Sequence, residues 1–396
     1  MDRITDTTLE SHATCWHILT CEYPPKVGGV SDYTAQVAEG LVGRGAMVHV
    51  WCAATTTKIE QLNGVVIHWV EGHYDTNFRR SMSAHLDNQQ GPYRILVQYA
   101  PHGFGLRAMN VPFCWWLLQR KRKHGGDIRI MFHEVAYPFV WWPIRHIPLG
   151  WVTRLMAGML VRAASRVYIS IPGWSDILRP VSPSNQKFEW LPVPSGIEKP
   201  KSEARAIEIR RKCLSETAGK AQHLVGHFGL YSQWVTMLLR PIIIDLMQND
   251  DSISVLLIGR GSDHFGQQLV QEFPELQSKI HFTGQLESAD VANHILACDV
   301  MMQPFPDGIS TRRSSVMASM AMGVPVVSTR GFLTESIWSE CGLIPLSDPS
   351  DVKTFVQNVR GLLDDPELRA VRSEQLKAFY EQRFSIEKLL DALEAS

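Results

Sequence analysis

Short apolar runs recur along this chain with room for a helix between most successive pairs, and that alternation most constrains the fold. ATCWHILTCEY (13–23) reads as a buried strand that ends in a Pro-Gly loop, PPKVGGV (24–30). In SDYTAQVAEGLVGRGA (31–46), Tyr33, Val37, Leu41 and Val42 recur near helical spacing. Ser31 or Asp32 is placed to cap the start of that helix, and Gly43 and Gly45 mark its end. MVHVWCA (47–53) is the next strand and completes a βαβ unit with a glycine-rich first turn. VVIHWV (65–70), RILVQYA (94–100), IRIMFHE (128–134), RVYISI (166–171) and KFEWLPV (187–193) continue the strand series. The pattern predicts a mainly parallel sheet with helices on both faces.

A second series follows: AQHLVGHFG (221–229), SISVLLIGRG (252–261), KIHFTGQ (279–285), DVMMQPF (299–305) and VPVVST (324–329), again separated by helical stretches. The segment 194–220 is polar and charged, which places a linker near 195–205. With 396 residues the chain suits two cores. The expected fold class is α/β: two tandem doubly wound, Rossmann-like domains facing a cleft, spanning 1–198 and 199–372, followed by amphipathic helix over 373–396. Ligands of such sheets bind at the carboxyl ends of the strands.

Lys plus Arg number 39 and Asp plus Glu 40, a balance that gives no footprint for nucleic acid. The seven cysteines are odd in number, scattered and without a CxxC pair, as in reduced thiols of a cytosolic protein. The opening MDRITDTTLE is polar and acidic, unlike a signal peptide, and the apolar runs are too short or too broken to span a bilayer. The run 135–164 is aromatic and basic. A buried helix with one groove-facing side is the favoured reading; contact with a membrane surface is the alternative.

Several loops at strand ends could carry chemistry. Gly28 and Gly29 let backbone approach a ligand closely before a helix N-terminus suited to phosphate, or they serve only a tight turn. Neither a Walker A loop nor a G-x-G-x-x-G fingerprint is present there. His133 and Glu134 end an apolar strand, so they are candidates for catalysis, with a satisfied half-buried histidine as the plain alternative. His102, with Gly103 and Gly105, is a weaker candidate of the same kind. Arg260, between Gly259 and Gly261, is either a phosphate or base contact or a solvated loop residue.

The segment PDGISTRRSSVMASMAMGVPVVST (306–329) is the most informative. Asp307 and Gly308 make a turn, and a helix is expected to start near Ser310 or Thr311, capped by those hydroxyls. Cations at a helix N-terminus oppose the dipole, costing about 0.3–1 kcal/mol each when exposed. Arg312 and Arg313 make sense there if an anion binds with them, the hydroxyls of Ser310, Thr311 and Ser314 and the helix amides. Arginines turned outward or paired with carboxylates are the alternative.

Together, YPPKVGGVSDYT, His133, LPVPSGIE (191–198), VLLIGRGS (255–262), HFTGQLESADVANHILACDVMMQPF (281–305) and MAMGVPVVST (320–329) resemble the GT-B glycosyltransferases, in the glycosyltransferase 4-like set with a "glycosyl transferases group 1" C-terminal domain. The resemblance runs over nearly the whole chain and includes FSIEKLL, like the closing helix that crosses back to the first domain. It implies an acceptor-side first domain and a donor-side second domain. Gly28 and Gly29 would lie against donor phosphates and acceptor, with Ser31 and His102 on the acceptor side and His133 near the transferred sugar. Gly284 to Leu286 would border the base, and Ser310 to Ser314 the sugar and diphosphate. It further implies a hexosyltransferase-like enzyme that moves sugar from a nucleotide-diphosphate donor, with retention and without metal or other cofactor. Acceptors would be a glycan in polysaccharide biosynthesis, a lipid-linked sugar or a small molecule. The expected location is cytoplasmic, with peripheral contact at the inner face of the membrane as the variant.

Two departures stand out. The family usually carries two glutamates eight positions apart before its MAxGxP segment, and Ser310 and Ala318 occupy those places here, with Ser319 nearby as a partial substitute for the second. The family's Arg and Lys after the first strand of the second domain are also missing from VGHFGLYSQWVTMLL (225–239), where His227, Tyr231, Ser232 and Gln233 stand. Three other readings stay open: a GT-B epimerase or phosphorylase; a degenerate GT-B protein that binds a sugar nucleotide or a partner transferase; and, least supported, an NAD-dependent dehydrogenase.

Overall fold

A computed structural model describes residues 14–26, 28–137, 146–216, 221–248 and 250–395. The polar start (1–13) and the centre of the aromatic, basic run (138–145) lie outside the described residues. The chain divides into two compact units, Met1–Leu191 and Pro192–Ser396.

The first unit holds strands β1 (Cys15–Thr20), β2 (Met47–Ala54), β3 (Lys58–Leu62), β4 (Val65–Glu71), β5 (Tyr93–Tyr99), β6 (Asp127–Phe132), β7 (Arg166–Ile169) and β8 (Glu189–Trp190). Helices α1 (Gly29–Gly43), α2 (Thr76–Asp87), α3 (Val111–His124), α4 (His146–Ala163) and α5 (Trp174–Leu178) connect them. The strand order is β3-β4-β2-β1-β5-β6-β7-β8, parallel except for the β3–β4 hairpin. The order reverses between β1 and β5, which makes their carboxyl ends a switch point of the kind that receives ligands. One face of the sheet packs Leu19, Trp51, Val70, Ile95 and Val97 against Phe78, Phe113, Leu117 and Leu160 of the helices.

The periodicity misplaces the start of α1. It begins at Gly29, so Ser31 and Asp32 lie inside the first turn and neither caps it. The hairpin strand β3 escapes a search for buried runs because every one of its residues is exposed. Its signal is the turn Asn63-Gly64, whose φ values of 51° and 81° suit a tight hairpin.

The second unit holds α6 (Ala204–Ser215), β9 (His223–Phe228), α7 (Gln233–Met247), β10 (Ile253–Ile258), α8 (Ser262–Glu272), β11 (Ile280–Phe282), α9 (Ser288–Leu296), β12 (Val300–Gln303), α10 (Ser314–Met322), β13 (Val326–Thr329), α11 (Ser336–Cys341) and β14 (Leu346–Ser347). Three helices close it: α12 (Val352–Asp364), α13 (Pro366–Arg383) and α14 (Ile386–Glu394). Its sheet, β11-β10-β9-β12-β13-β14, is parallel throughout and switches direction between β9 and β12. The strands are buried on both faces, with Leu224, Leu256 and Met301 in one core and Val225, Val255 and Met302 in the other. That explains their unbroken apolar character in the sequence.

Candidate active site

In the second unit the parallel strands bring Tyr231, Arg260, Gly284 and the segment Asp307–Ser314 to one edge of the sheet. The segment after β12 is held firmly. Ile309 N–H donates to Thr329 O (2.9 Å), Phe305 N–H to Thr329 Oγ1 (2.8 Å) and Leu333 N–H to Asp307 O (3.0 Å). Gly308 has φ +87°, and a Cβ there would lie 2.2 Å from both Gly331 N and Thr334 Oγ1, so only glycine fits.

The helix starts later than the serines suggest. Its cap position is Arg313, without a side-chain cap bond, and Ser310 and Thr311 belong to the loop. They cannot cap because their positions are fixed otherwise. Thr311 donates through N–H (2.9 Å) and Oγ1 (2.6 Å) to Glu335 Oε1, while Trp338 Nε1 donates to Glu335 Oε2 (2.7 Å). Ser310 is fully buried and its hydroxyl has no hydrogen-bond partner.

Arg312 and Arg313 share one carboxylate. Arg312 Nη2 donates to Asp307 Oδ2 at 2.9 Å and Arg313 Nη2 to Asp307 Oδ1. Both guanidiniums are about three-quarters covered, and Arg313 lies over the Phe305 ring at 4.4 Å. Burial pulls the Arg313 pKa below its usual value, and Asp307 opposes that pull. Two cations thus converge on one carboxylate at this contact. Glu335 acts on Arg313 more weakly, its oxygens already bonded by Thr311 and Trp338. The first turn of α10 adds amide donors that no helix can satisfy internally.

The positions of the two expected glutamates hold no carboxylate. Ala318 is buried in the core, and Ser319, also fully buried, donates to Ser315 O (2.9 Å), so it does not stand in for the missing acid. Near the end of β9, His227 is buried edge-on to Tyr231 (4.9 Å), and burial lowers its pKa to about 3. Leu230, Trp234 and Met237 are exposed beyond it, where cations were expected from the resemblance. The loops after β10 and β11 meet: Gly284 N–H donates to Ser262 Oγ (2.9 Å) and Gly259 N–H to Thr283 Oγ1 (3.2 Å). Arg260 is exposed at that junction, and Leu286 packs partly against the core. A cavity of about 360 Å³ reaches Thr283 from between α6 and β11.

In the first unit the corresponding edge is built of different chemistry. Glu22 follows β1, and its Oε1 accepts the Ser31 N–H at 3.3 Å in the first turn of α1. A Cβ on Gly28 would sit 2.2 Å from that oxygen, so the glycine makes room for the protein's own carboxylate. Gly29 is open, with no atom near its Cβ direction. Ser31 is fully buried and its hydroxyl donates to Lys26 O (2.6 Å). Burial and Glu22 raise the Asp32 pKa.

His133 Nε2 pairs with Gln98 Oε1 at 2.8 Å. Its ring stands edge-on to Tyr33 at 4.7 Å, and its carbonyl accepts from Trp174 Nε1 (3.1 Å) and Ser170 Oγ (3.2 Å). Burial lowers the His133 pKa to about 4, keeping the ring neutral. Glu134 turns to His102 instead, 3.2 Å from its Nδ1, and this bond raises the His102 pKa. Gln98, buried on β5, is a site residue the sequence reading passed over.

Two tandem Rossmann-like units of this connectivity define the class of GT-B proteins. The fold is shared with sucrose-phosphate synthase from Thermosynechococcus elongatus (TM-score 0.70, 16% identity, 96% of this chain and 97% of that one). It is shared with HepE of Anabaena in complex with UDP and glucose (0.66, 13%, 96% and 98%) and with WaaG, a glycosyltransferase involved in lipopolysaccharide biosynthesis (0.63, 14%, 97% and 100%). No curated protein matches the chain at the sequence level. Residues 222–365 match the family described as glycosyl transferases group 1. The second unit thus carries a glycosyltransferase domain of that family.

Proposed function

We propose that the protein transfers a sugar from a nucleotide-diphosphate sugar to an acceptor hydroxyl, with retention and without a metal ion in the reaction. The carrying observation is the partly buried arginine pair at the N-terminus of α10, gathered on Asp307. Such a pair suits a diphosphate leaving group, whose developing charge guanidinium forks and helix amides stabilise. The cations supply what a divalent ion would otherwise give the diphosphate, which is the basis for metal-independent transfer. The junction of Gly259, Ser262, Thr283 and Gly284 suits the base, and exposed Arg260 beside it suits a phosphate. That HepE was captured with UDP-glucose, and a trehalose-phosphate synthase of this fold with glucose-6-phosphate, favours a uridine nucleotide and a polar sugar acceptor.

In the first unit, neutral His133 offers Nδ1 to a substrate hydroxyl, oriented by Gln98. Half-exposed Glu134 and His102 form a pair able to hold acceptor hydroxyls. Glycans, lipid-linked sugars and small polyols fit that chemistry. No described helix is long and apolar enough to cross a membrane, so a lipid-linked acceptor would be met by peripheral contact.

The second reading is a sugar-nucleotide-binding protein without turnover, favoured by the buried Ala318 and Ser310 where the resemblance expects glutamates. Incubation with a panel of nucleotide sugars and acceptors, with Mg²⁺ withheld, separates the two. Release of nucleotide diphosphate is expected. Saturable binding with no release under any acceptor overturns transfer in favour of the second reading.

A further inference from the structure

The most unusual cluster in the molecule lies at the opposite end of β1 from its carboxyl edge. His17 on β1 and His49 on β2 are lateral partners in the sheet. His68 on β4 pairs with Trp51, two residues along β2 from His49. His85, in the last turn of α2, packs over all of them, with ring centroids 5.4 Å from His17, 5.1 Å from His49 and 5.1 Å from His68. Two residues further along β1, Leu19 has Trp51 and Val97 as its lateral partners, so a purely structural layer here would be aliphatic or aromatic too.

Four imidazoles on one patch are poor structural filler. Their ring nitrogens demand partners, and not all find them: the buried His85 Nε2 has none. Burial and their mutual repulsion hold the pKa of His17 and His68 down to about 3, and burial lowers those of His49 and His85. The rings are therefore unprotonated at neutral pH, the form that binds metals.

One ring nitrogen each of His17, His49 and His85 lies within 4.8 Å of the other two. We propose that His17, His49 and His85 bind a divalent transition-metal ion, zinc foremost, that fastens the end of α2 to β1 and β2. A tetrahedral ion with Zn–N bonds of about 2.0–2.1 Å sets its ligand nitrogens roughly 3.4 Å apart, so the three rings close by up to about 1.5 Å. His49 Nδ1 is 2.9 Å from His68 Nε2, leaving Nε2 of His49 for the ion and His68 to orient it. Trp51 Nε1 donates to His17 Nδ1 at 3.2 Å, so the indole must turn for His17 to ligate. His49 and His85 are only partly buried, which gives the ion a path in and a water the fourth position. Three neutral imidazoles suit zinc, copper or nickel over magnesium or calcium.

The full-length protein, stripped with EDTA and dialysed, is titrated with ZnCl₂ by calorimetry and with CoCl₂ by visible absorption. One equivalent of zinc, the absorption of a four-coordinate cobalt centre and a rise in Tm with zinc are expected. His85→Gln, at a partly exposed helix end, should keep the fold and lower zinc affinity at least about tenfold, and His68→Gln should weaken it less. His124→Gln, outside the cluster, should change nothing. Absence of saturable binding, or undiminished binding in both His85→Gln and His49→Gln, overturns the proposal.

Discussion

The two sheets end on helix N-termini that the protein treats in opposite ways. At α1 it presses a carboxylate, Glu22, into the space beside Gly28 and keeps Asp32 in the same turn. At α10 it sets two guanidiniums on a single aspartate. Helix dipoles favour anions at both places. The first helix start is already faced by a carboxylate of the protein itself. The second gathers two cations, the charge that suits an anion. A glycine-rich loop before a helix is thus no proof of a phosphate site; the side chain that already faces the amides decides.

The largest effect that can break this contrast is charge reversal of both arginines. Arg312→Glu with Arg313→Glu removes two charge-assisted contacts at about 1.5–3 kcal/mol each, so calorimetry should show nucleotide-diphosphate affinity falling about 10²–10⁴-fold. Unchanged affinity would place the anion elsewhere. Next comes Glu335→Gln. An amide there faces the donors of Thr311 and Trp338 with one oxygen fewer, so urea unfolding should show about 1–3 kcal/mol lost. A smaller change in the other direction is expected from Asp307→Asn, which frees the guanidiniums. Diphosphate binding should tighten up to about tenfold, about 1.4 kcal/mol; weaker binding would mean that Asp307 is needed to aim them.

In the first unit, Gly28→Ala would force Glu22 off the helix end, because φ at Gly28 is an ordinary extended −179° and only the contact is at issue. Acceptor KM should rise severalfold while donor affinity stays put. A separate effect concerns pH. His133 takes a proton near 6.5 when unfolded but only near 4 when folded. Between those values the unfolded state binds more protons, so stability falls as pH drops through that window. His17, His68 and His227, lowered to about 3, add to the same slope, so His133→Asn should lessen it by one group's share in denaturation curves taken from pH 7 to 4, and an unaltered slope would mean the ring is not neutral in the fold.

The sheets of both units were legible because parallel strands buried on both faces must read as short apolar runs, and Val225 to Val327 do. What the pattern cannot carry is partner choice. Nothing in the sequence says that Glu22 rather than Ser31 serves the start of α1, that Thr311 is spoken for by Glu335 twenty-four residues on, or that Asp307 takes both arginines. The four histidines are plain in the sequence but lie on three strands and a helix, and only the register of β1 beside β2, and of β2 beside β4, brings them together.

Gly308 and Gly331 touch backbone to backbone: a Cβ on Gly331 would lie 2.4 Å from the Asp307 carbonyl carbon, just as one on Gly308 would strike Gly331. The two positions therefore share one evolutionary fate. A descendant that gains a side chain at 308 must reshape 330–334 in the same step, and that loop leads straight into Glu335. Drift in that turn would then surface as drift in the hold on Thr311 and the arginine pair.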